Sequence, residues 1–365
     1  MVSSPDAAVR RWLFLFCGVV ALLIVFGGFV RLTRSGLSIV EWDPVTGVVP
    51  PIGHDAWEDV FAEYQRSPEF HKVNSAMTLD EFRRIFLIEW FHRLIARLAG
   101  FAYALPLVYF LVRRRIPRRD LAVYVVMGSL FVLQAVAGWV MVASGLKDRP
   151  SVSHFNLAVH LVLAFTLLGI ALWTALSQRA AAREGPGGRG PWNRSSRVAA
   201  AFVAVLGVQV LYGGFTAGLK AGHVSDTWPL MFGRLLPAGL FSSVTDLFEA
   251  PATIVFIHRW FAFAVAAAAL WLAAVILRDR RSDAEARLAV WALLSAIGAQ
   301  IVLGVLTVLT GVNPAIALAH QATAIAVFSG GIAVLHRLRL LDVADSEVGI
   351  RLPEGAGGGR LDRTL

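Results

Sequence analysis

Apolar residues run along this chain in long stretches separated by short charged ones, the pattern of a polypeptide that crosses lipid repeatedly. A membrane span needs about 20 mostly apolar residues. The stretches predict eight helices, at roughly 12–32, 86–111, 121–143, 155–177, 197–217, 253–277, 286–310 and 315–340. The connections alternate in charge. RRRIPRRD follows the second helix, Arg179, Arg183, Arg189, Arg194 and Arg197 lie around the connection after the fourth, and RDRRSDAEAR follows the sixth. The connections at 147–149, 218–252 and 311–314 are poorer in cations. The positive-inside rule then places both termini and the Arg-rich loops in the cytoplasm.

Composition agrees. Of 365 residues, 57% are hydrophobic and 16% charged, with a mean hydropathy of +0.64. The formal net charge of +9 sits in the connections, so it reads as a topology signal and nucleic acid is excluded as a partner. The single cysteine, Cys17, lies in the first apolar run. It excludes an internal disulfide or a cysteine-based zinc site and reads as a packing residue. The first run is long enough to remain as an anchor. The short segment before it does not resemble a transit peptide, which favours the bacterial inner membrane over the mitochondrial one. The first outer loop, 33–84, carries nine acidic and five basic residues together with Trp42, Trp57, Phe61, Tyr64 and Phe70. A loop this long and aromatic is expected to fold over the outer face.

The chain repeats itself. FHRLIARLAG starts at Phe91 and IHRWFAFAVA at Ile257. His92 to Gln134 and His258 to Gln300 are both 42 residues apart, and Gly138 and Gly304 each follow the Gln by four. His160 and His320 open the fourth and eighth helices, and GGF recurs at Gly27 and Gly213. The fold expected is therefore all-α integral membrane, with eight transmembrane helices in two tandem pseudo-symmetric four-helix bundles related by an axis along the membrane normal. The expected divisions are 1–184 for the first half, 185–196 for a cytoplasmic linker containing GPGGRGP, 197–341 for the second half and 342–365 for a cytoplasmic tail.

His92, His160, His258 and His320 each fall about five residues into an inward-running predicted helix, at similar depth. One membrane histidine is often only an interhelical hydrogen bond. Four in register, paired within each half, suit the axial positions of two hemes. Gly100, Gly138 and Gly304 are candidates to admit the macrocycles, and Arg93 and Arg259 to meet heme propionates. Surface or capping roles suffice for His54, His71, His154, His223 and His336. The halves differ beside the histidines: Glu89 precedes His92 by one helical turn, where Val255 holds the matching place. Glu89 reads either as an ion-pair partner of Arg93 or Arg83, or as a proton acceptor or electrostatic stabiliser beside a reacting heme.

These residues resemble the heme A synthases, in the branch with a long first loop and no cysteine pair there, shared by alphaproteobacteria and mitochondria. The likeness is carried by GGFVRLTRSGLSIVEWDPVTGVVPP (27–51), EFRRIFLIEWFHRLIARLAG (81–100), DRPSVSHFNLAVHL (148–161), DTWPLM (226–231), GRLLP (233–237) and IHRW (257–260). It implies oxidation of a methyl group of heme O to a formyl group, giving heme A for terminal oxidase biogenesis. His92 and His160, with Arg93, would frame the substrate heme. His258 and His320, with Arg259, would hold a permanent heme b, and Glu89 matches the catalytic carboxylate. The partners implied are heme O, membrane lipid, heme O synthase and terminal oxidase assembly proteins, with a homo-oligomer left open. A diheme b-type electron carrier would also use four histidines but gives no reason for Glu89. A transporter would suit a duplicated bundle but predicts broken helices and midplane charges, which the sequence lacks.

Overall fold

The computed structural model describes residues 6–41, 46–147, 150–184 and 191–351, with the side chains of 46, 184 and 343–351 left aside. Trp42 and Asp43, Asp148 and Arg149, the glycine-rich part of the expected linker and residues 352–365 of the expected tail lie outside these. Among the described residues, eight helices are long and apolar enough to cross a membrane. They are α1 (Ala7–Leu32), α4 (Leu79–Val112), α5 (Leu121–Gly145), α6 (His154–Glu184), α7 (Arg194–Gly218), α9 (Pro251–Arg278), α10 (Ala284–Leu309) and α11 (Pro314–Arg351). The short helices α2 (His54–Gln65), α3 (Pro68–Lys72) and α8 (Asp246–Glu249) lie in the outer loops.

Helix starts follow capping chemistry. Asp6, Asn193 and Asp283 accept from backbone N–H groups of the first turns of α1, α7 and α10, and α9 and α11 open on Pro251 and Pro314. The departure from the sequence reading that bears on the histidines is at α4, which begins at Leu79 rather than near 86. Thr78 and Glu81 form a reciprocal capping box there, and that signature was present in the sequence. His92 therefore lies two further turns from its helix start than expected. The extra turns rise into the outer loop, where Phe82 and Phe86 pack with Tyr64, Trp57, Phe61 and Phe70. The loop is thus folded, packing against the first turns of α4.

The spans form two matching sets: α1, α4, α5 and α6, then α7, α9, α10 and α11. In each, the first helix touches the second and fourth, and the third touches the fourth. The sets meet through α6 against α7 and α11, and through α1 against α11. Their inner packing differs. Trp12, Phe16, Tyr103, Phe110 and Tyr124 fill the first set. Ala199, Ala269, Ala273, Ala286, Leu272 and Val290 fill the second. Large rings hold helices apart and alanines let them approach, so α9 and α10 pack closely while α4 and α5 touch sparingly. Cys17 is buried in the first core as a packing residue.

Polar staples fasten the inner end. Asp342, on α11, accepts from Ser196 Oγ at 2.6 Å and from Arg339 at 2.6 Å. Arg337 pairs with Asp283. His336, read from the sequence as a surface or capping residue, is buried, 3.0 Å from Ser177 Oγ and edge-on to Trp173.

Candidate heme sites

The four repeated histidines all point into the bundles, and each is seated against a glycine of a neighbouring helix. A Cβ on Gly27 would meet His92 Cε1 at 3.5 Å, and one on Gly213 would meet His258 at 3.2 Å. On Gly138 and Gly304 it would meet His160 and His320 at 3.0 Å. Gly138 and Gly304, read from the sequence as room for the macrocycles, lie against imidazoles in the structure; Gly100 packs on Phe131 at 3.3 Å. The GGF repeat carried the signal for Gly27 and Gly213 without their role.

In the second half, the His258 and His320 rings lie 6.4 Å apart between centroids, with planes at 86°. Two metal–imidazole bonds of about 2.0–2.1 Å and ring radii of about 1.2 Å set such centres roughly 6.5 Å apart. The pair therefore fits a six-coordinate iron with imidazoles on both faces. His320 Nδ1 lies 3.1 Å from the Gln300 carbonyl. Donation to that carbonyl fixes Nε2 as the nitrogen with a lone pair; in the structure it faces the Gln300 side-chain amide at 3.2 Å, which a metal at Nε2 would displace. The Gln209 amide donates to the His258 carbonyl at 3.0 Å and anchors that turn.

In the first half, His92 on α4 and His160 on α6 are the corresponding pair. Their Nδ1 atoms are buried without hydrogen-bond partners among the described residues. Phe26 stacks on His92 at 5.9 Å and 9°. His154, at the first residue of α6, instead reaches the Phe248 carbonyl at 2.8 Å.

The asymmetry at Glu89 has a definite geometry. Glu89 is 2% exposed. Its Oε2 accepts from Ser38 N at 2.8 Å, Ser38 Oγ at 2.7 Å and Ile39 N at 3.0 Å, all from the start of the first outer loop. Its Oε1 accepts from Arg93 at 2.6 Å. Of the two ion-pair partners considered from the sequence, Arg93 is the one used. Val255, in the matching place, is 2% exposed and packs with Ala221 and Met231 of the second outer loop. The same helix position thus carries each outer loop, by a carboxylate in one half and by apolar contact in the other.

Arg93 and Arg259 repeat a clamp. Arg93 donates to the Ile39 and Glu41 carbonyls at 3.2 and 3.5 Å. Arg259 donates to those of Ser225 and Thr227 at 2.6 and 3.2 Å. Both cations therefore hold the loops that cover the sites. Sequence reasoning missed two further residues. Arg31 bonds the Ala217 carbonyl and links α1 to α7. Glu69, on α3, is buried with Oε2 unpartnered among the described residues. Burial pushes its carboxyl up to about 7, Glu89 adds to this, and Lys220 and Arg34 oppose it.

Comparison with known proteins agrees with this arrangement. The family described as Cytochrome oxidase assembly protein, COX15-CtaA, matches residues 10–330. A protein of Maricaulis maris named Heme A synthase is 40% identical over 336 residues, covering 89% of this chain and 94% of its own length. Those of Sphingopyxis alaskensis and Rhodopseudomonas palustris, named likewise, are 40% and 42% identical, covering 92% and 90% of this chain and 94% and 91% of their own lengths. The chain is a member of the cytochrome oxidase assembly protein family, COX15-CtaA.

Proposed function

We propose that this multi-pass membrane protein is a heme A synthase, an oxidoreductase that converts a methyl group of heme O to a formyl group. The observation that carries the reading is one bundle plan used twice, with a paired histidine site in each half and a buried carboxylate beside only one. The relatives' shared name supplies the reaction.

His92 and His160 hold the iron of the substrate heme. His258 and His320 hold a resident heme b, which supplies electron relay when bound. Glu89 is the group beside the reacting methyl. Oxidising that carbon develops positive character and releases protons, and a fixed carboxylate stabilises the first and accepts the second. Both of its oxygens are held, Oε2 by Ser38 and Ile39 and Oε1 by Arg93, so the carboxylate is fixed in place. Arg93 and Arg259 keep the outer loops over their sites, and Arg259 Nε, buried and unpartnered among the described residues, is suited to a heme propionate. The halves correspond to 1–184 and 197–341, joined by the 185–196 linker, in a bacterial inner membrane with both termini cytoplasmic. A heme O synthase and oxidase assembly proteins are the partners on either side of the reaction.

Heme composition tests this in cells supplied with heme O and lacking their own activity. The wild-type chain is expected to produce heme A. Glu89→Gln is expected to lose it by about 10²–10⁴-fold, the range for a missing acid–base group, while keeping heme b. Glutamine still accepts from Ser38 and Ile39 but meets Arg93 with an amide. A variant that keeps heme b and still makes near-normal heme A overturns the role of Glu89. No heme A from the wild type overturns the reaction.

A further inference from the structure

The two seams between the halves are not equivalent. At one, α7 carries GFTAG, and Gly214 and Gly218 let α6 approach until added Cβ atoms would lie 2.9 and 2.6 Å from the Cα atoms of Ala158 and His154. This small-xxx-small spacing draws helix backbones together in lipid. At the other, α1 carries GFVRL. Gly28 still meets Gln321, but Leu32 stands in the place of Gly218. Consistent with this, α1 and α11 pack over less of their length than α6 and α7.

The matching surfaces of α4 and α9 differ accordingly. Thr253 and Ile254 are sealed, at 1% and 0% exposure, with Ile254 between Ala158 and Phe215. Their counterparts Leu87 and Ile88 are not. Leu87 is 42% exposed and Phe91 46%. Phe26, Leu87, Ile88, Trp90 and Phe91 line a shallow, open apolar groove of about 360 Å³. The groove adjoins the first-half histidine site, because Phe26 stacks on His92. Trp90 also keeps its Nε1–H buried without a partner among the described residues, a donor that needs an acceptor.

We propose that this groove binds the isoprenoid tail of heme O. The inference rests on the assignment of His92 and His160 to the substrate heme. Heme O differs from heme b by that tail and by an alcohol where the tail joins the ring. The half assigned to heme O has a groove, and the half assigned to heme b has its counterpart filled. The alcohol oxygen is a suitable acceptor for Trp90. The groove thus makes the first half selective for the tailed heme, while the imidazoles alone take either.

The test is titration of purified protein with heme O and, separately, protoheme, read from the visible spectrum, with thermal melting as the fold control. Leu87→Trp and Ile88→Trp fill the groove; Leu87 is exposed enough that its variant does not disturb packing. The wild type is expected to bind heme O at least tenfold more tightly than protoheme, and both variants to lose that preference while keeping their protoheme affinity. Equal affinities in the wild type, or a preference that survives in both variants, overturns the proposal. So does a phospholipid seen by native mass spectrometry to leave the variants while the heme preference stays. Heme O binding that is unchanged in His160→Ala overturns the site assignment itself, a distinct failure.

Discussion

The first and second halves share a frame and differ in what surrounds it. Both seat two histidines against glycines of adjacent helices, and both clamp an outer loop with an arginine that follows the α4 or α9 histidine. Around that frame, the first half has large aromatic spacers, a loose seam and a buried carboxylate. The second has alanines, a tight seam and a valine. The two halves keep the geometry that presents imidazoles and differ in packing around it, which matches the proposed division between a site that retains its ligand and one that exchanges it.

The strongest way to break this comparison is to remove the ligands half by half. His258→Ala and His320→Ala are each expected to abolish low-spin heme b in the purified protein, since an axial bond is lost. His92→Ala and His160→Ala are expected to leave that spectrum intact and to abolish heme A formation. Loss of heme b from all four variants alike would erase the division of labour.

A smaller effect is expected from the glycines. Gly304→Ala places a methyl 3.0 Å from the His320 ring, tighter than ordinary contact, whereas Gly27→Ala places one at 3.5 Å from His92. Overpacking of this kind costs about 1–3 kcal/mol. Gly304→Ala should therefore lower the melting temperature and heme b occupancy, and Gly27→Ala should be close to neutral. Equal losses would show that His92 has no more slack beside Gly27 than His320 has beside Gly304.

The most local effect belongs to Glu69, on α3 in the loop between α1 and α4. Its folded pKa of about 7 lies above the ordinary 4.5. The folded state thus binds more protons than the unfolded one between those values, and stability falls as pH rises through that window. The loss is on the order of 3 kcal/mol at most, and it falls on the outer loop. Glu69→Gln should remove it, so that hydrogen exchange in α2 and α3 becomes slower than wild type at pH 8 and alike at pH 4. An unchanged difference between pH 4 and pH 8 would assign the loop's pH response elsewhere.

Much of this was legible in the sequence. Eight apolar runs became eight spans because backbone in lipid has few alternatives to helix, and the repeat spacing brought each histidine pair together. Positions set by tertiary contact were not legible. GGF shows that glycines recur but not that an imidazole lies against them. Glu89 was visible as an asymmetry, but its bonds to Ser38 and Ile39 join residues some fifty positions apart. The early start of α4 was readable from Thr78 and Glu81, yet the reading followed the apolar run and missed a capping signal in polar residues.

The unequal seams also set an order of assembly. The tight seam joins α6 to α7, successive spans in the chain, so little loop must be closed to form it. The loose seam joins α1 to α11, the first span to the last, where Gln321 donates to the Ile24 carbonyl at 2.6 Å. During synthesis from the N-terminus, the glycine-rich seam forms once α7 is inserted and holds the halves together. The ring closes only when α11 arrives, and the edge that closes last is the one left loose.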